Sequence, residues 1–376
     1  MKSLFLNTVK RGAVVGTVAV SAVALMLTGC GEAPPAPGAG GTENAAAANF
    51  LGCIVSDSGG FDDQSFNQSS YEGLQKAKAD LGIKVKEAQS ASTADFAPNL
   101  SQMASAGCNL TVTVGFLLAK ATEEAAKANP DLHYAIIDDN TIKADNVKPV
   151  VYDTAQAAFM AGYAAAAVSK TGKVGTFGGI NIPTVTIFMD GFAAGVKYFN
   201  EKQGKDVKLL GWDAATQQGS FANTFEIIQE GTKITNNLIS EGADVVMPVA
   251  GPLGKGAGDA ILAANSGGKD VKLVWVDSDG FLTAPTYKSI LLTSVIKTMG
   301  AAVESVIKDD LNDKFDPTPY VGTLENEGVS LAPFHDLDSA VSADTKSQLE
   351  EIKKGIIDGS IKVGSKASEG LLAATP

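Results

Sequence analysis

The chain has 376 residues, a formal net charge of −12, two histidines and three cysteines. Acidity of that size argues against a protein held to nucleic acid or anionic lipid by charge, and two isolated histidines leave little for a zinc site or a Ser-His-Asp triad. Arg11 is the only arginine, so the guanidinium fork that usually captures carboxylates and phosphates is missing, which disfavours amino acids and phosphate esters as the main ligand.

Lys2, Lys10 and Arg11 stand before an apolar run over residues 13–27, too short to span a bilayer comfortably, and Leu27-Thr28-Gly29-Cys30 closes it. A basic head, an apolar core and small residues are the order of a secretion signal. Cys30 placed directly after Leu-Thr-Gly resembles a bacterial lipobox. That resemblance implies removal of residues 1–29 and diacylglycerol on the Cys30 thiol. An ordinary signal peptide or an anchor helix with an accidental Cys is the plainer reading. Residues 30–49 are rich in Ala, Pro and Gly and are expected to be a flexible tether. Without the signal the net charge becomes −12 − 3 = −15, so membrane attachment falls to the acyl anchor.

The residues beyond the tether are too many for one ordinary core and suit two lobes. Strands are expected at 53–55, 83–85, 110–114, 133–137 and 149–151, with helices at 66–81 and 94–106 between them. The spacing of Tyr71, Leu74, Ala77 and Leu81 is helical. A second series has strands at 173–177, 207–211, 244–249 and 273–276 and helices at 186–202, 221–241 and 254–265. Such βαβ repetition predicts an α/β protein of two lobes, each a parallel sheet flanked by helices. The tail continues as strand 289–295, helix 299–310, strand 320–322 and helix 343–357. It is too short for a third domain and is expected to cross back between the lobes. The first lobe takes residues 50–152 and 298–318, the second 153–297 and 319–376.

In a first sheet of order 2-1-3-4-5, the strands that Cys53 and Cys108 open are neighbours. A disulfide between them and a pair of buried free thiols are both open. His133 and His335 read as surface residues, and Trp212 and Trp275 as core fillers.

The first strand runs into Ser56-Asp57-Ser58-Gly59-Gly60-Phe61-Asp62-Asp63-Gln64-Ser65-Phe66-Asn67-Gln68. Glycines let the chain turn, Asp63 or Ser65 can cap the next helix, and Phe66 in its first turn faces either a crevice or the core. Asp57 is a site acid or a turn carboxylate. Gly251-Pro252-Leu253-Gly254-Lys255-Gly256-Ala257-Gly258 lacks phosphate-loop spacing. It reads as close backbone approach to a ligand at Gly251, or as a plain loop.

The Asp57–Gln68 stretch with Tyr71-Glu72-Gly73-Leu74 resembles the opening signature of the basic membrane protein family. Val114-Gly115-Phe116, Tyr134-Ala135-Ile136-Ile137-Asp138, residues 189–195, Val276-Asp277-Ser278-Asp279 and Ser294-Val295-Ile296-Lys297 extend the match over about residues 50–365. Members are lipoprotein substrate-binding components of ABC importers with a two-lobed type I binding-protein fold, and several bind purine nucleosides. The resemblance implies a base stacked between Phe66 and Phe221, acids at Asp57 and Asp138, Asn67 beside them, and Asp277 with Lys297 at the sugar. A carboxylate accepts from a diol and an ammonium donates to it. Members often carry Asp where this chain has Lys120, which cannot accept from a base N–H. Lys120 therefore points outward, donates to the ligand, or marks a different nucleoside. The implied partners are a nucleoside-like solute and a membrane permease; a monomer is expected, and no cofactor or metal is implied. A monosaccharide receptor or a ligand sensor is the alternative on the same fold. An enzyme would need a poised nucleophile, metal cluster or cofactor motif, and none is evident.

Overall fold

The computed structural model describes residues 45–372, so the expected signal, Cys30 and its lipid lie outside the described residues. Residues Ala45–Asn49 form a short helix, α1, where the tether was expected to continue. Alanine favours helix, and Ala47 and Phe50 are buried in the core.

The first lobe is built from β1 (Leu51–Ser58), α2 (Phe66–Leu81), β2 (Lys84–Ser90), α3 (Phe96–Ser105), β3 (Leu110–Val114), α4 (Ala119–Ala128), β4 (His133–Ile137) and β5 (Val147–Tyr152). The second follows as α5 (Thr154–Val168), β6 (Lys173–Gly178), α6 (Pro183–Gln203), β7 (Lys208–Leu210), the hairpin β8 (Trp212–Asp213) and β9 (Gln218–Gly219), α7 (Ile228–Ser240), β10 (Val245–Val249), α8 (Leu253–Ser266), β11 (Lys272–Asp277), α9 (Gly280–Thr283) and β12 (Leu291–Lys297). The tail adds α10 (Met299–Leu311), β13 (Tyr320–Gly322), β14 (Val329–Leu331), α11 (Ala343–Ile357) and α12 (Lys366–Leu371).

The first sheet has the order β13-β5-β4-β3-β1-β2 and is wholly parallel. The second has the order β14-β12-β11-β10-β6-β7, parallel except where β14 runs against β12. β3 and β10 are buried along their whole length, as parallel strands covered on both faces are. The chain passes between sheets after Tyr152, Lys297 and Gly322. One boundary needs correction: β13 was expected in the second lobe, yet Tyr320 pairs with Val150 at the edge of the first sheet. A three-residue strand carries too little pattern to reveal its partner. The helix expected over 221–241 begins only at Ile228.

Cys53 and Cys108 form a disulfide with Cα atoms 5.9 Å apart. The two histidines are not free surface groups. His133 Nδ1 lies 2.6 Å from Asp310 and its ring stacks on Phe315, while His335 Nε2 lies 2.8 Å from Asp279 and stacks on Phe281. Trp212 and Trp275 are buried. In the second lobe α5 and α6 touch backbone to backbone: a Cβ at Gly195 would collide with the Phe159 carbonyl, and one at Gly162 with the Phe192 carbonyl.

Candidate ligand-binding site

The carboxyl ends of both sheets face one cleft, and the loop from β1 to α2 sets its geometry. Gly59 (φ 136°) and Gly60 (φ 70°) turn the chain after Ser58. Asp63 then caps α2, accepting from the backbone N–H of Ser65 at 2.9 Å, Asn67 at 2.9 Å and Gln68 at 3.1 Å. The cap satisfies the orphan amides of the first turn and leaves Phe66 and Asn67 at the cavity wall. Ser65 is thereby freed to cross the cleft, where its hydroxyl donates to Asp277 Oδ2 and to the Val276 carbonyl, both at 3.0 Å.

Three charged groups meet across the lobes. Asp138 ends β4 and Asp277 ends β11, both in the left-handed region at φ 65° and 71°, which Asp tolerates better than most residues. Lys297 ends β12. Its Nζ lies 2.5 Å from Asp138 Oδ2 and 3.5 Å from Asp277 Oδ1. It also sits 5.0 Å from the Phe66 ring centre and 5.1 Å from that of Phe188. Burial alone would lower the pKa of Lys297, but Asp138 and Asp277 outweigh it and hold the ammonium above its ordinary range. It is a fixed buried cation.

Asp57 stands apart from that triad. Asn67 Nδ2 donates to its Oδ1 at 2.8 Å and, more weakly, to Asp63 at 3.3 Å. Gly115, at φ 113°, brings its backbone against the other Asp57 oxygen, where a Cβ would clash. Burial, followed by the fields of Asp63, Asp138 and Asp277, pushes the Asp57 carboxyl up to about 8 against the pull of Asn67. Asp63 is likewise raised by burial despite its backbone bonds. Asn67 Oδ1 and Ser58 Oγ are buried without a hydrogen-bond partner among the described residues.

These groups line a cavity walled by Phe66, Phe116 and Leu117 on one side and by Val185, Phe188, Phe225 and Gly251 on the other. Of the residues expected here, Asp57, Phe66, Asn67, Asp138, Gly251, Asp277 and Lys297 line it. Two do not. Phe221 bridges Gly178 and packs edge-on against Trp212 at 5.9 Å; Phe225, lying on Gly179, takes the place expected of it. The Lys120 side chain is 88% exposed and faces Glu124 at 4.0 Å. Thr122 and Ala126 turn the buried side of α4 inward, and Lys120, two residues from Thr122, falls opposite. Ser58, Gly115, Phe188 and Phe225 escaped sequence reasoning. Phe188 falls in the first turn of the helix expected over 186–202, as Phe66 does in its own helix, and that position is the signal that could have flagged it.

Two predominantly parallel sheets joined by several crossings, closing on a cavity that mixes aromatic walls with a buried charge triad, define a two-lobed solute-binding protein. A solute-binding protein from Aeropyrum pernix superposes with a TM-score of 0.76 at 24% identity, covering 86% of this chain and 98% of that one. Residues 51–366 match the family described as ABC transporter substrate-binding protein PnrA-like. The chain belongs to that family, and it is a substrate-binding component of an ABC transporter. It is 34% identical to the CD4+ T-cell-stimulating antigen of Listeria monocytogenes over 85% of this chain and 89% of that protein. It is 32% identical to the ABC transporter nucleoside-binding protein BmpA of Lactococcus lactis, covering 93% and 99%, and 31% identical to basic membrane protein A of Borreliella burgdorferi, covering 82% and 86%.

Proposed function

We infer that the protein captures a nucleoside, a purine nucleoside foremost, between its lobes and delivers it to a membrane permease. The observation that carries this reading is one cavity with Phe66 on one wall, Phe225 on the other and the Lys297–Asp138–Asp277 triad at its edge. Aromatic faces suit a flat base, and stacking contributes about 1–3 kcal/mol while tolerating different bases. The triad offers a donor and acceptors to the hydroxyls of a ribose. The name of the Lactococcus relative agrees. Tethering through a lipid on Cys30, at the extracytoplasmic face, fits the lipobox and the Cys53–Cys108 disulfide, which belongs to an oxidising compartment. Calorimetry of the full-length chain against purine and pyrimidine nucleosides and their free sugars tests the reading. Tight binding of a sugar with no heat from any nucleoside would overturn it.

A further inference from the structure

The cavity wall carries four carboxyl groups, Asp57, Asp63, Asp138 and Asp277, and one ammonium, Lys297. Lys297 is engaged by Asp138 and Asp277, and Asp63 is engaged by three backbone amides. Asp57 faces Asp63 from the loop before α2, Asp138 from β4 and Asp277 from β11; α2 and the β3 end offer it only neutral Asn67 and Gly115. Its Oδ1 accepts from Asn67, which leaves Oδ2 to carry a proton. The Asn67 amide is oriented by the two carboxyls that its nitrogen reaches, so its Oδ1 is a buried acceptor still in need of a donor.

We propose that Asp57 is neutral in the closed cleft and donates its hydroxyl to the ligand while Asn67 Oδ1 accepts from it, so that capture selects a base edge with an acceptor beside a donor and takes up one proton. Burial, reinforced by the neighbouring acids, is consistent with this, since it holds the carboxyl near 8. An opened, hydrated cleft returns Asp57 toward 3.8, its unburied value. The closed form therefore binds more protons than the open one between those two values, and affinity falls as pH rises between them. From pH 6 to pH 8 the fall from this group is roughly fifty-fold, and it levels off above about pH 8.

The inference rests on the nucleoside reading, and one experiment separates the two. Full-length protein in detergent is titrated with adenosine and inosine at pH 6, 7 and 8, in two buffers of different ionisation enthalpy. The expected result is uptake of about one proton per nucleoside at pH 6 to 7, with affinity declining toward pH 8. Asp57→Asn removes one proton from the linkage, so its affinity loses that decline whatever its absolute value. Purine riboside, whose base has ring acceptors but no donor, is expected to bind at least about tenfold more weakly, because Asn67 Oδ1 stays unpaired. Nucleoside binding without proton uptake, or an unaltered pH slope in Asp57→Asn, overturns this inference alone. Absence of binding by every nucleoside overturns the ligand reading and this inference with it.

Discussion

Lys297 is a buried ammonium whose two counter-ions come from different lobes, Asp138 from the first sheet and Asp277 from the second. Replacing it by Met leaves two carboxyls in a dry site with no cation. The expected loss is about 3–5 kcal/mol at pH 7, read by chemical denaturation. The sign with pH follows from linkage: burial already raises Asp138 against the pull of Lys297, and without the ammonium it would rise further, so the penalty is full above its folded-state value and fades as pH falls toward the unfolded one. A loss unchanged between pH 7 and pH 5 would contradict this account. The aromatic wall gives a second test. Phe225→Ala should weaken nucleoside binding by about 1–3 kcal/mol, whereas Phe221→Ala, beneath the wall against Trp212, should lower stability more than affinity. Comparing calorimetry with thermal melts separates the two. The family resemblance pointed to Phe221, and Phe221, Phe225 and Ile228 recur at helical spacing, so periodicity alone would put both rings on one face. In the fold Asn223 turns left-handed at φ 57° and sends the two rings to different surroundings.

At the scale of elements, the long signals were legible and the short ones were not. Leu110–Val114 and His133–Ile137 are apolar runs bounded by polar residues, and both strands form where expected. The order of the first sheet follows from the parallel topology such runs impose. The edge strands β13 and β14 have three residues each, and only tertiary pairing fixes their sheets. The seam between α5 and α6 was also hidden, because sequence alone does not say which glycines meet a backbone. Gly195 packs onto the Phe159 carbonyl and Gly191 onto the Ala155 carbonyl. A methyl at either site forces two buried helices apart, and Gly195→Ala is expected to cost about 1–3 kcal/mol. The helix propensity of Ala would favour the substitution by roughly 1 kcal/mol if Gly195 were exposed. Denaturation of the variant therefore reads the packing directly, and a stabilised protein would refute the seam.

At the scale of the whole molecule, closure is held by backbone as well as by ligand groups. Gln64, left-handed at φ 64°, presents its carbonyl to the second lobe. Three donors converge on it: Thr283 Oγ1 at 2.8 Å, Ser278 Oγ at 2.9 Å and Trp275 Nε1 at 3.2 Å. Lys255 Nζ adds a bond to the Asp62 carbonyl at 3.0 Å. None of these atoms needs a ligand to pair, so they stabilise the closed form whatever the cavity holds. Thr283→Val keeps the side-chain shape and removes one donor, leaving two on the same carbonyl. Opening should then be easier, with affinity lowered about threefold to tenfold, the equivalent of one modest hydrogen bond. Because the latch exists only after the lobes meet, the change should fall on dissociation more than on association. Stopped-flow release of a bound nucleoside measures it. Leu282→Ala is the control, since that side chain is 71% exposed beside the latch and should leave the rate as it was. Equal release rates for Thr283→Val and wild type would show that these bonds do not limit opening.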